Sequence, residues 1–166
     1  MSEVFFTSDH HFGHTNIIKH TNRPFKNANQ MNERLIAEWN TIVRPDDVVY
    51  HLGDFAWGNN AERIGSFIKR LNGNKHLVLG NHDKLKPFSY VEAGFLSVHT
   101  SLEFNGIYLA HDPAVKVALQ KGDWLIHGHI HNLWKIEEDK KLINVSVEVW
   151  DYKPVMYETL RCIIKE

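Results

Sequence analysis

The sequence predicts an α/β layered fold, built as one domain over residues 1–166. Short β-branched or aromatic runs recur at 4–7, 48–52, 76–79, 107–110 and 124–127, each closing in a polar or glycine-containing turn. Amphipathic helical patterns separate the early runs. Five polar clusters rich in Asp and His follow the runs directly, at the carboxyl ends of strands, where open α/β sheets bind ligands.

The run at 4–7 comes so early that no secretory leader is expected ahead of it. No apolar stretch approaches the roughly 20 residues that span a bilayer, so a cytoplasmic protein is expected. Over 30–43, Met31, Leu35, Ile36, Trp39, Ile42 and Val43 recur at helical spacing, and Pro45 ends the pattern. After the run at 48–52, the segment 61–71 carries Ile64, Phe67, Ile68 and Leu71 on one stripe and stops at Asn72-Gly73. Residues 95–104 and 134–149 read as consecutive strands, turning at Asn105-Gly106 and over 138–141. They predict antiparallel edges added to a central sheet, with two sheets packed together and helices outside. The apolar tail, 156–164, predicts a last helix.

Hydrophobic residues at 43% and charged residues at 23% are enough for one substantial core. A formal net charge of -1 leaves no global positive field to hold a polyanion. Cys162 is the single cysteine, which excludes an internal disulfide and a cysteine-rich zinc site. Against that one thiol stand 12 His, so any metal ligands come from imidazole and carboxylate.

The clusters are Ser8-Asp9-His10-His11-Phe12-Gly13-His14, Gly53-Asp54-Phe55, Gly80-Asn81-His82-Asp83, His111-Asp112-Pro113 and Gly128-His129-Ile130-His131. Such a density of carboxylate and imidazole suits a hard-to-borderline divalent ion. Asp9 and His11, two apart in extended backbone, are expected to project to one side and grip one ion. Asn81 and His82 are adjacent and diverge, so one ligates metal while the other faces substrate. Gly53, Gly80 and Gly128 allow tight turns close to a metal or phosphate. Each piece alone occurs by chance or as a turn; the full ordered set, each part after an apolar strand, does not.

That ordered set resembles the calcineurin-like metallophosphoesterase superfamily across residues 9–131. The stretches 9–25 and 147–154 are similar to a small bacterial and phage branch of it. The resemblance implies a four-layer α/β/β/α sandwich of two mixed sheets flanked by helices, with a two-metal centre. It implies that Asp9, His11 and His131 hold the first metal, that Asn81, His111 and His129 hold the second, and that Asp54 bridges them. His82 faces the substrate as general acid, with Asp83 orienting its imidazole. Two ions about 3.5 to 4 Å apart lower the pKa of a shared water toward about 7 and polarise the phosphoryl oxygens. Mn²⁺ is the expected ion, with Fe, Zn²⁺, Ni²⁺ and Mg²⁺ as alternatives.

Substrate contacts are expected from His14 and Asn16, and from Arg23 gripping a phosphate bidentately. Among the tryptophans, Trp57 is best placed to stack a base, being two residues beyond Gly53-Asp54-Phe55. The expected substrate is a small phosphomonoester or phosphodiester, possession of a nucleotide moiety included. The competing readings are a nuclease or cyclic-nucleotide phosphodiesterase, and a non-catalytic metal-dependent scaffold. The intact set including His82 opposes the scaffold, which needs no general acid.

Overall fold

Alternate residues of the early strands are apolar on both faces, as in a sheet covered on two sides. In a computed structural model of the chain, which describes residues 2–120 and 122–165, these strands form the first sheet. There β1 (Val4–Thr7), β2 (Val48–His51), β3 (Asn74–Val78) and β4 (Ser97–His99) pair in parallel, in that order. A second sheet holds β5 (Leu102–Phe104), β6 (Ile107–Leu109), β7 (Leu125–His127), β8 (Ile136–Glu137) and β9 (Leu142–Asn144), ordered β5-β6-β7-β9-β8. The short β10 (Val155–Met156) returns to the first sheet, antiparallel to β1. Both sheets are therefore mixed, and the predicted α/β sandwich of two packed sheets is what the chain forms.

Alternation sorts the core. Phe5, Val49 and Leu77 point outward from the first sheet into a cluster with Met31, Leu35, Trp39, Ile64 and Phe67. Phe6, Leu52 and Val78 join Leu109, Ile126 and Ile143 of the second sheet in a cluster between the sheets. The outer cluster is supplied by α1 (Thr15–His20), α2 (Ala28–Ile42), α3 (Ala61–Ile68) and α4 (Pro87–Ala93). The side chains of Asn27 and Asn60 cap α2 and α3 by accepting from Gln30 and Arg63 amides. At the C-terminus α5 (Tyr157–Lys165) buries Leu160 against the inter-sheet core, as the tail predicts. The outer face of the second sheet carries a smaller cluster of Ala110, Leu125 and Leu142, beside a 3-10 turn at Pro113–Ala118.

Two expectations need correction. Residues 95–104 are not consecutive antiparallel strands: β4 joins the first sheet parallel to β3, and the chain then crosses to begin the second sheet. Within that stretch only β5 enters a hairpin, with β6 at Asn105-Gly106, whose φ values of 51° and 78° suit the tight turn that matches strand twist; β8 and β9 do pair antiparallel across 138–141. Residues Val147–Val149 form a 3-10 turn rather than a strand. Their place is set by Ser8, whose amide bonds Val145 O at 3.0 Å and whose carbonyl accepts from Val147 N at 3.2 Å. That stitch joins the ends of β1 and β9, so the carboxyl ends of strands from both sheets meet. Among the described residues, no helix is long and apolar enough to cross a membrane.

Candidate metal centre

The backbone leaving the strands does not stay extended. Asp9, His11, Asp54, His129 and His131 all adopt left-handed conformations, with φ of 60°, 51°, 57°, 72° and 51°. Asp9 and His11 therefore converge by tight turning and not by strand alternation, which corrects the expected geometry. Left-handed backbone costs a non-glycine residue about 1–2 kcal/mol, and such strain gathers where a site needs it. Backbone bonds hold it in place: Asp9 N to Gly53 O at 2.9 Å, His11 N to Asp54 O at 3.0 Å and Phe12 N to Phe55 O at 3.0 Å. The glycines keep the space clear. A methyl at Gly80 would strike the Asp54 carboxylate, and one at Gly128 would strike Ser8 Oγ and the Asp9 carboxylate.

All seven nominated ligand residues meet. Asp9 Oδ1 lies 3.9 Å from His11 Nε2 and 3.9 Å from His131 Nε2. Asp54 Oδ2 lies 3.4 Å from His11 Nε2 and 3.4 Å from His111 Nε2, placing it between two groups of imidazoles. Asn81 Oδ1 is 3.0 Å from His111 Nε2 and 3.0 Å from His129 Nδ1. Asp9 Oδ1 and both ring nitrogens of His11 are buried without a hydrogen-bond partner. Buried polar atoms left unpaired are expensive, and a cation would satisfy the carboxylate oxygen and one of the two imidazole nitrogens.

Neighbouring groups aim the lone pairs. His111 Nδ1 donates to Leu52 O at 2.8 Å and His131 Nδ1 donates to Glu148 Oε1 at 2.9 Å, which frees Nε2 of each ring. A neutral His111 then presents a lone pair to Asn81 Oδ1, acceptor against acceptor, an arrangement that a metal ion between them would satisfy. Burial opposes charge on His111, yet the Asp54 bond and the Asp9 and Asp54 charges push its pKa up to about 9. For Asp54 burial works against ionisation, but His111, His11 and the His82 amide hold its carboxyl well below the usual range. The other oxygen of Asp9 accepts from Ser8 Oγ at 2.6 Å, Ser146 Oγ at 2.8 Å and His129 N at 3.0 Å.

His82 sits at the rim with its amide on Asp54 Oδ1 at 2.8 Å. Its ring lies 5.3 Å from that of His11, and among the described residues no side chain hydrogen-bonds it. Asp83 does not orient that ring, as the sequence led us to expect. Its oxygens accept from the amides of Asp54 (2.8 Å), Phe55 (3.1 Å) and Gly80 (2.8 Å), so it ties two loops together. Burial raises the Asp83 carboxyl to about 6 against those bonds.

Arg23 is likewise no phosphate grip. Its guanidinium is buried and fully engaged, with Nη1 on His10 O at 2.8 Å, Nη2 on Asp9 O at 2.6 Å and Nε on Glu148 Oε1 at 3.0 Å. Asn16 lies exposed on α1. His14 is buried and stacked flat on Trp57, ring centroids 3.8 Å apart and planes 10° from parallel. Glu148, Ser8, Ser146 and Asn144 were missed as supporting residues. Asn144 Nδ2 donates to His131 O at 2.7 Å, and Glu148 accepts from both His131 and Arg23. Burial would raise the Glu148 carboxyl, but His131 and Arg23 hold it at about 2. A carboxylate set among the apolar residues Val145, Val147 and Val149 is the signal that could have found it.

The chain resembles known proteins over most of its length. The family model described as calcineurin-like phosphoesterase matches residues 3–154. An uncharacterized protein of Methanocaldococcus jannaschii is 38% identical, over 100% of this chain and 93% of its own length. The Gene 66 protein of Mycobacterium phage L5 is 27% identical, over 90% of this chain and 88% of its own. Among solved structures, a protein of unknown function from Aquifex aeolicus superposes with a TM-score of 0.77 at 30% identity, over 98% of this chain and 100% of that one. The nuclease MPE of Pseudomonas putida shares the fold at a TM-score of 0.53 and 19% identity, over 77% of this chain and 61% of that one.

Proposed function

The chain belongs to the calcineurin-like phosphoesterase family, and on that premise we propose that it is a hydrolase of small phosphoesters that works with two divalent ions. The placement of Asp54 Oδ2, 3.4 Å from an imidazole nitrogen of each ligand group, carries this reading, because one carboxylate serves both sides. Asp9, His11 and His131 hold one ion, and Asn81, His111 and His129 hold the other, with Asp54 shared. Mn²⁺ is the proposed ion, since the donors are oxygen and imidazole with no thiolate. Ions held there lower the pKa of water toward about 7 and polarise the phosphoryl oxygens.

The protein's own groups do the remainder. Leu52 O and Glu148 fix the tautomers of His111 and His131. Asp83 fixes the Asp54 and Gly80 loops. His82, whose ring no side chain hydrogen-bonds among the described residues, donates a proton to the departing oxygen. Clefts of about 300 Å³ and 380 Å³ lie on either side, lined by Asn81, His111 and His129 in one and by His129, His131 and Leu133 in the other. Open space beside the ligands favours a diester, whose non-leaving substituent takes one of these clefts while the leaving group departs past His82.

Chelation should abolish hydrolysis of an aryl phosphodiester and Mn²⁺ should restore it; full activity of verified metal-free protein would sink the reading. His82→Ala should keep its metals while losing rate according to the leaving group. The loss should be modest on an aryl ester and near the upper end of about 10²- to 10⁴-fold on an alkyl ester. Equal losses on both would assign His82 to phosphate contact instead of proton donation.

A further inference from the structure

Large apolar side chains left in water are ordinary when scattered, but an ordered aromatic face beside a reaction site has a use. Trp57 and Phe88 are the exposed aromatic residues among those described, at 44% and 59%. Only Trp57 touches the site. Its ring lies 5.5 Å from the ring of His82. The indole is also held firmly from behind: His14 covers one face, the Trp57 amide bonds Phe12 O at 3.0 Å, and Ala56 bridges to Phe12. His14 is itself 9% exposed, so the stack is backed by the core and not by a mobile loop.

We propose that Trp57 is a stacking platform for a nucleobase carried on the leaving alcohol of the scissile phosphoester, which makes it a specificity-determining residue of this site. The inference rests on the phosphoesterase reading above. His82 fixes the side: the oxygen it protonates departs toward the rim where Trp57 stands, so a base one sugar away from that oxygen meets the indole. Every nucleobase has a π-face, so one flat indole selects for a planar ring without selecting among bases. A tryptophan with few rotatable bonds, already immobilised, gives up little entropy on stacking.

The test compares two thymidine 3′-phosphodiesters, one with thymidine as the leaving alcohol through its 5′-oxygen and one with methanol. Wild-type protein with Mn²⁺ should show a lower KM for the first. Trp57→Ala should raise that KM by roughly 5- to 150-fold, the worth of one base–aromatic stack, with a clearly smaller rise on the methyl ester. Trp57→Phe should fall between. Equal rises on both esters, or none, would overturn the platform. A second readout needs no turnover: thymidine 5′-monophosphate should quench the tryptophan fluorescence of the as-purified protein, and 2-deoxyribose 5-phosphate should not. That quenching should vanish in Trp57→Phe; its absence in wild type, or its persistence in the variant, also overturns the platform. Failure of the hydrolase reading looks different, since wild-type protein with Mn²⁺ would then cleave neither ester nor an aryl phosphodiester.

Discussion

At the scale of single residues, the proposed centre depends on groups that would touch neither the ions nor the substrate. Glu148 receives His131 Nδ1–H at 2.9 Å on the same oxygen that Arg23 neutralises at 2.6 Å. A carboxylate behind a ligating histidine fixes its tautomer and raises its basicity, and its loss typically costs 10- to 100-fold in metal affinity. Glu148→Gln should therefore weaken Mn²⁺ binding by about 10- to 100-fold in a calorimetric titration while leaving the fold intact. Unchanged affinity would show that His131 is positioned without Glu148. The convergence of the seven nominated ligand residues was legible in the sequence because each sits in a short contiguous motif. Glu148 was not, since its partner Arg23 is 125 residues away. The error over Arg23 has the same origin: an arginine near a motif reads as a phosphate grip until its burial is known. Left-handed backbone at Asp9 and His11 was not legible either: aspartate and histidine enter that region more often than most side chains, but still only in a minority of positions.

Elements repeat that division between local and distant causes. The strands β1, β2, β3, β6 and β7 and the helices α2 and α3 follow from hydrophobic period, and the structure places them within a few residues of expectation. Short α1 and α4, six and seven residues long, fall below what periodicity resolves. The pairing of β4 with β3 was hidden because a parallel partner is chosen by packing and not by a turn. The last residue of β7 offers a titration test of its burial. His127 Nδ1 bonds Gly128 O at 2.8 Å. Its pKa is lowered to about 4, mainly by burial, with the Gly128 bond opposing and the His111 charge assisting. A lowered histidine stays neutral in the fold, so its stability contribution is complete above the unfolded value near 6.5 and is lost as pH falls toward 4. The stability of wild type relative to His127→Gln, measured by urea unfolding with chelator present, should drop by about 2–3 kcal/mol between pH 7.5 and pH 4.5. A pH-independent difference would mean that the imidazole protonates freely within the fold.

For the whole molecule, the two sheets matter because neither carries the site alone. Asp9, Asp54 and Asn81 follow β1, β2 and β3 of the first sheet; His111, His129 and His131 follow β6 and β7 of the second. The Ser8 stitch to Val145 and Val147 closes the seam on which they meet. Ordered motifs spread over most of the chain made that convergence readable before any coordinates, whereas the clefts on either side depend on the packing of loops that no local pattern describes. On the proposed function, metal binding across the seam would couple the sheets, so the central claim is tested most directly by locating the ions. Crystals of the Mn²⁺-loaded protein, measured at the manganese absorption edge, should give two anomalous peaks per chain about 3.5 to 4 Å apart, with Asp54 coordinating both. A single peak, or two with Asp54 bound to only one, would contradict the shared-carboxylate centre.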